Sequence, residues 1–213
     1  MADAKICGLN DEPGLRAALA GGARFVGFVF FAKSPRNVAP EQAAQLAAMA
    51  RGKADIVAVT VNADDALLAR LAETLKPDFI QAHGSESPAR LAEIKRFAAK
   101  GAIKALPIAR PEDFAAVDPF ASVADMFLFD AKPPPGADLP GGNGAAFDWS
   151  LMKERRFSRP WLLSGGLTPE NVAEAIALSG AGLVDVSSGV ETRPGLKDPA
   201  RVAAFLAAAK AAN

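Results

Sequence analysis

Trp161-Leu162-Leu163-Ser164-Gly165-Gly166-Leu167 and, starting 22 residues later, Leu183-Val184-Asp185-Val186-Ser187-Ser188-Gly189 decide the fold. Each is a short apolar run that ends in serine and glycine. Thr168-Pro169-Glu170-Asn171 between them opens a helix, and Ser179-Gly180 closes it. A continuous apolar run is what a parallel strand covered on both faces requires, so the pair reads as consecutive βα units. Working outward, the same pattern recurs at Lys5–Gly8, Phe25–Phe30, Ile56–Val61, Phe79–His83, Ala102–Pro107 and Met126–Asp130. The eight starts lie 20 to 35 residues apart, about one βα unit each. Helices are expected over Pro40–Ala50, Asp64–Leu75 and Pro88–Ala99, and from Asp198-Pro199 to the C-terminus. A fifth, within Pro111–Phe120, is only weakly marked. Eight units without a linker predict a single-domain (β/α)8 barrel over residues 1–213. An open doubly wound sheet is the rival.

Composition narrows the function. The chain has 213 residues, 50% of them hydrophobic and 23% charged, enough for a real core. Its 24 basic residues balance 24 acidic ones, which argues against a nucleic-acid partner. One cysteine forbids an intrachain disulfide and a cysteine-built zinc site, and one histidine disfavours His-rich metal sites. No metal is expected. Met1-Ala2-Asp3-Ala4-Lys5 does not read as an export signal, no run of 18 uncharged apolar residues predicts a membrane span, and the lone thiol suits a reducing cytoplasm. Gly141-Gly142-Asn143-Gly144 fails as a dinucleotide fingerprint, because Phe147 holds the third glycine position. Gly52-Lys53-Ala54 is not a P-loop.

In a barrel the site lies at the carboxyl ends of the strands. That rule singles out Cys7, Arg36, Gln81, His83, Asp130 and Asp185. It also selects the turns Ser164-Gly165-Gly166 and Ser187-Ser188-Gly189. Turns after the seventh and eighth strands are the common phosphate site of barrels, so Gly165, Gly166, Ser187 and Ser188 are expected to bind a phosphate. Taken singly, the others have plainer readings: Cys7 as a small buried apolar residue, Asp130 as a loop cap, His83 as a packed histidine, Arg36 as a solvated cation or a carboxylate clamp. Together, a thiol from the first strand and a carboxyl from the sixth offer a base and an acid in one pocket.

Lys5-Ile6-Cys7-Gly8-Leu9, Lys33-Ser34-Pro35-Arg36, Gln81-Ala82-His83-Gly84, Gly141-Gly142-Asn143-Gly144 with Phe147-Asp148-Trp149, Ser164-Gly165-Gly166-Leu167 and Asp185-Val186-Ser187-Ser188-Gly189-Val190-Glu191 stand in the order seen in phosphoribosylanthranilate isomerases. The chain resembles that family over nearly its whole length. Asn10, Ala82 and Asn143 depart from it, where Thr, Leu and Thr are usual. The resemblance implies a cofactor-free Amadori rearrangement in tryptophan synthesis. N-(5'-phosphoribosyl)anthranilate would become 1-(2-carboxyphenylamino)-1-deoxyribulose 5-phosphate. It implies Asp130 as the acid at the ring oxygen and Cys7, as thiolate, as the base at C2. Arg36, Gln81, His83 and Asp185 would bind substrate, Arg36 and Asp185 at the anthranilate end. Such roles ask for a lowered thiol pKa and a raised or proton-fed carboxyl. The partner is a phosphorylated small molecule, and the family's precedent allows a monomer or a homodimer. Residues 132–147, rich in proline and glycine, are expected to close over the substrate. The histidine-pathway sister isomerase, with an Asp where Cys7 stands, is the nearest alternative. Ribulose-phosphate epimerase would need more histidines, and indole-glycerol-phosphate synthase an N-terminal extension. A non-catalytic phosphate binder would not need Cys7 and Asp130 together.

Overall fold

The computed structural model describes residues 1–133, 136, 141, 142, 144 and 146–212. Eight parallel strands close on themselves in chain order. They are β1 (Asp3–Cys7), β2 (Phe25–Phe30), β3 (Asp55–Thr60), β4 (Phe79–Ala82), β5 (Gly101–Ile108), β6 (Met126–Ala131), β7 (Trp161–Leu163) and β8 (Leu183–Val186). Closure excludes the open sheet: Lys5 of β1 lies opposite Phe25 of β2 on one side and Asp185 of β8 on the other.

The strands are apolar throughout because both faces are buried. Inward-pointing Phe25, Val57, Phe79, Ile103, Leu128 and Leu162 fill the barrel below Cys7. The alternate residues, among them Ile6, Val26, Phe28, Ile80, Phe127 and Val184, pack against the helices.

Helices α1 (Glu12–Ala20), α2 (Pro40–Ala50), α3 (Asp65–Thr74), α4 (Pro88–Ile94), α5 (Val172–Ser179) and α6 (Pro199–Ala211) cover the barrel. Helix α1 was not legible in the sequence. Gly14 and Gly21-Gly22 dilute its apolar pattern, yet Asp11 caps it by accepting from the Gly14 amide at 3.0 Å. The helix expected to run to Ala99 stops at Ile94 and passes through a 3-10 turn at Lys95–Phe97. The backbone then peels away, Ala99 and Lys100 donating to the carbonyls of Pro77 and Asp78 at 3.0 and 2.8 Å. The fifth expected helix is two 3-10 turns, Pro111–Ala116 and Asp118–Phe120, since Pro119 interrupts any longer helix. Another 3-10 turn, Trp149–Met152, follows β6. Helix α5 starts at Val172 rather than Thr168. Thr168–Asn171 forms a turn in which the Thr168 amide donates to Asn171 Oδ1 at 2.7 Å.

An antiparallel hairpin, β9 (Glu191–Arg193) with β10 (Leu196–Lys197), was also not anticipated. It folds back from the end of β8 and returns Glu191 and Lys197 to the barrel mouth.

Candidate active site

A cavity opens at the carboxyl ends of the strands. Cys7, Arg36, His83, Asp130, Asp185, Gly165, Gly166, Ser187 and Ser188 all line it. Its two ends differ. Ser164, Gly165, Gly166, Ser187 and Ser188 make a polar end at the carboxyl ends of β7 and β8, whereas Val29, Phe31, Val59 and Val61 make an apolar end at those of β2 and β3. The apolar end escaped the sequence reading, because valines at strand ends look like any other core residues.

Cys7 closes β1 and faces inward, 7% exposed. Two residues earlier, on the same face, Lys5 is wholly buried, and its ammonium donates to Asp185 Oδ1 at 2.8 Å. Asp185 Oδ2 accepts from Ser164 Oγ at 3.2 Å. Burial pushes the Cys7 thiol up; the charge of Lys5 opposes it most, Asp185 adds to it, and Lys197 opposes it. The thiol therefore stands above its ordinary value, the reverse of the lowering a thiolate base asks for. For Lys5, burial works downward, but the charges of Asp185 and Cys7 win and hold the ammonium above its usual value.

Across the mouth, Asp130 lies near the end of β6, and its Oδ1 accepts from the Ala131 amide at 2.9 Å. Its Oδ2 stands 3.4 Å from His83 Nε2. Gln81 Nε2 lies 2.8 Å from His83 Nδ1. Which of the two donates in that contact turns with the imidazole tautomer. Gln81 itself is wholly buried beneath the histidine and is not among the cavity-lining residues.

Arg36 is buried, not solvated. Its Nε and Nη2 grip Glu191 at 2.7 and 2.9 Å in a two-pronged pair. Glu191 also accepts from Lys197 Nζ at 2.7 Å, and Lys197 donates to the Ser187 carbonyl at 2.9 Å. Burial pushes the Glu191 carboxyl up, but the hydrogen bond from Arg36 and the charge of Lys197 outweigh it and leave it below the usual range. For Lys197 burial wins over Glu191, and its ammonium is lowered. Neither Glu191 nor Lys197 was singled out for chemistry; the signal was a pair of opposite charges six residues apart flanking a glycine turn.

The turn after β7 needs its glycines, with φ of +88° at Gly165 and +65° at Gly166. Asn171 Nδ2 donates to the Gly166 carbonyl at 2.9 Å and pins the turn to the start of α5. The Gly141-Gly142 pair, discarded above as a nucleotide motif, lies over the mouth. A Cβ on Gly141 would come within 2.6 Å of His83 Nε2 and 2.7 Å of Asp130 Oδ2. One on Gly142 would come within 2.6 Å of Arg36 Nη1. Much of the segment 132–147, including Asn143, lies outside the described residues, and so does the closure expected of it. Among the described residues no group of three or more His, Cys, Asp and Glu side chains has a metal-holding arrangement.

Fold and cavity together define a (β/α)8 barrel with a cavity at the carboxyl ends of the strands, lined by a thiol and a carboxyl across one mouth. The family model described as N-(5'phosphoribosyl)anthranilate (PRA) isomerase matches residues 4–208. A Caulobacter sp. (strain K31) N-(5'-phosphoribosyl)anthranilate isomerase is 56% identical over 211 residues, covering 99% of both chains. One from Rhodopseudomonas palustris (strain BisA53) is 54% identical over 209 residues, covering 98% of this chain and 96% of the other. The crystal structure of phosphoribosyl anthranilate isomerase from Thermotoga maritima superimposes with a TM-score of 0.88 at 33% identity, covering 99% of each chain. A further phosphoribosyl anthranilate isomerase structure was solved with reduced 1-(o-carboxyphenylamino)-1-deoxyribulose 5-phosphate; it matches with a TM-score of 0.85 at 32% identity and the same coverage. The chain belongs to the N-(5'-phosphoribosyl)anthranilate isomerase family.

Proposed function

We propose that this barrel converts N-(5'-phosphoribosyl)anthranilate to 1-(2-carboxyphenylamino)-1-deoxyribulose 5-phosphate, with Asp130 as general acid and Cys7 as general base. The isomerisation is an Amadori rearrangement, a step of tryptophan biosynthesis, and it asks for no cofactor. The observation that carries the assignment of residues is that Cys7 and Asp130 line one cavity between a serine- and glycine-rich end and an apolar end guarded by Arg36.

In this reading the backbone amides of Gly165, Gly166, Ser187 and Ser188 receive the phosphate. The aromatic ring lies against Val29, Phe31, Val59 and Val61. Its carboxylate meets the edge of the Arg36 guanidinium that Glu191 leaves free. Asp185 faces the anthranilate nitrogen. Asp130 gives a proton to the furanose oxygen, the ring opens to a Schiff base, and the Cys7 thiolate takes the proton from C2. The resulting enolamine tautomerises to the ketone. His83, whose Nε2 lies 3.4 Å from the Asp130 carboxyl, helps hold it at the mouth, and Gln81 serves by holding the imidazole rather than by touching substrate.

Residues 1–213 act as one domain in this reading, in the cytoplasm and without a nucleic-acid partner. Among the described residues no helix is long and apolar enough to cross a membrane. The exposed large hydrophobic residues among those described are Met1 and Leu178, which favours a monomer over a homodimer. The test follows the fluorescence of phosphoribosylanthranilate as protein is added. Catalytic loss of signal by the wild type, and its near absence with Cys7→Ala and with Asp130→Asn, is expected. Binding without turnover by the wild type would overturn the reading, and normal turnover by Cys7→Ala would remove Cys7 from it.

A further inference from the structure

We propose that Lys5 is the counter-cation of the Cys7 thiolate, a positioning residue that Asp185 holds beside the sulfur. The inference deepens the reading of Cys7 as base and rests on it.

Lys5 sits where a barrel interior normally places a branched apolar side chain. Phe25, opposite it on β2, belongs to the apolar cluster of the barrel interior that also holds Val57, Phe79 and Leu183. Its ammonium is fully out of water, and its one oxygen partner among the described residues is Asp185, at 2.8 Å. A buried ion pair is weak evidence for stability, since apolar residues of similar volume often do as well. The pair therefore calls for another purpose, and its surroundings supply one. Strand alternation puts Lys5 and Cys7 on the same face. Gly27 of β2 opens the space both occupy. A Cβ there would stand 3.2 Å from Lys5 Cε and 3.3 Å from Cys7 Sγ, so the end of the lysine and the sulfur rest against one bare backbone position.

The charges facing the sulfur come from each element around it. Lys5 is on its own strand and Asp185 on β8. Lys197 comes from β10, Arg36 from the loop after β2, and His83 and Asp130 lie across the mouth. Strands β2 and β3 contribute Val29 and Val59, which carry no charge. Arg36 and Lys197 share the Glu191 carboxylate, as Lys5 is held by Asp185. Of these cations Lys5 is the one whose side chain rests with the sulfur against Gly27, and its charge acts on the thiol ahead of that of Lys197. Burial and Asp185 both raise the thiol, so removing Lys5 leaves them without their main opponent. Removing Asp185 leaves Lys5 to act on the sulfur alone.

The two substitutions therefore move Cys7 in opposite directions, which a merely structural lysine would not do. Cys7 is the chain's single cysteine and faces the cavity, so the pH dependence of its alkylation by iodoacetamide reads its ionisation without recourse to activity. Lys5→Met is expected to shift the alkylation midpoint up by about one unit or more, and the rising limb of kcat/KM with it, for a loss of about tenfold or more near pH 7. Asp185→Asn is expected to shift the alkylation midpoint down, and Lys5→Arg to leave it near the wild-type value. If Lys5→Met does not fold, Lys5→Gln decides in its place: an unshifted or lowered midpoint overturns the proposal. An unshifted midpoint in folded Lys5→Met overturns it equally. Normal turnover by Cys7→Ala would instead sink the base assignment while leaving the alkylation result to stand.

Discussion

Of the buried lysines that pair with carboxylates in this barrel, Lys104 and Lys5 are built differently. Lys104, on the outer face of β5, donates to Glu86 Oε2 at 2.8 Å and to the carbonyls of Gly84 and Ala82 at 2.7 and 3.3 Å. Glu86 in turn accepts from the amides of Asn62 and Gly84 at 2.8 and 3.0 Å. That pair is saturated and lies away from the cavity; it fastens the turn that carries His83. Lys5, on the inner face of β1, has one oxygen partner among the described residues, and that partner lines the cavity. A buried pair whose hydrogen-bonding capacity is used up locally is architecture. A buried pair left short of partners beside an open cavity has capacity to act on what enters.

The largest effects test the inner side of that contrast. Cys7→Ala and Asp130→Asn should each lower kcat by about 10²–10⁴-fold, the usual worth of a proton-transfer group. Their melting temperatures should stay near wild type, because neither change opens a large cavity. Losing Cys7 should abolish the rise of rate with pH. Steady-state kinetics over pH, beside thermal melts, measures both. A variant that melts far lower while keeping its kcat would put that residue on the architectural side.

The outer pair should show the opposite profile. Lys104→Met leaves Glu86 buried without its cation, which costs about 3–5 kcal/mol. For a chain of this size that is a drop in Tm of roughly 6–20 °C. At temperatures where the variant is folded, kcat should stay within about threefold of wild type. A kcat loss far larger than the unfolded fraction explains would show that the Glu86 turn steers His83 and would blur the contrast.

What could be read beforehand follows the same line. The eight strands were legible to within one or two residues, because a run apolar on both faces is a local property. The site residues were legible where the strand-end rule exposes them, as at Asp130, Asp185 and the Gly165-Gly166 turn. Lys5 was on the page inside Lys5-Ile6-Cys7, but its role depends on Asp185, 180 residues away, and on the gap at Gly27. Glu191 and Lys197 were hidden for a like reason: the hairpin that returns them to the mouth is set by tertiary contact, not by periodicity. Helix α1 and the 3-10 turns after β5 were missed or blurred where glycine and proline interrupt the pattern.

The two pairs should also fail at opposite ends of the pH scale. Burial raises Glu86, but the charge and hydrogen bond of Lys104 outweigh it and leave the carboxyl lowered. A lowered carboxyl contributes stability in full above its unfolded value, about 4.3, and loses it as pH falls through the folded value. The stability margin of wild type over Glu86→Gln should therefore hold at neutral pH and shrink in acid. Lys5 is raised, so its contribution is full below about 10.4 and is lost as pH rises through its folded value. The margin of wild type over Lys5→Met should shrink only in alkali. Thermal melts at pH 3–5 and pH 9.5–11 separate the two, and margins that vanish at the same end would erase the distinction.

The smallest effect calibrates the scale with a polar tether that is neither saturated and buried nor turned to the cavity. Asn10, one of the departures from the family pattern, donates through Nδ2 to the Gly195 carbonyl at 2.8 Å, and its own carbonyl accepts from Gln42 at 2.9 Å. Gly195 in turn packs on Pro35, where a Cβ would stand 2.4 Å from the carbonyl oxygen, so the loops after β1, β2 and β8 meet at this point. Asn10→Thr shortens the side chain below the reach of that bond. Water can replace the lost partner, so the cost is that of one neutral hydrogen bond, about 0.5–1.5 kcal/mol. The loop that carries Arg36 is still held by the Glu191 pair, so KM should change by less than about threefold and kcat not at all. A melt and a substrate titration measure both. A tenfold fall in kcat would mean that the tether reaches Cys7 through the short loop between them, and that residues outside the two lysine pairs also set the geometry of the base.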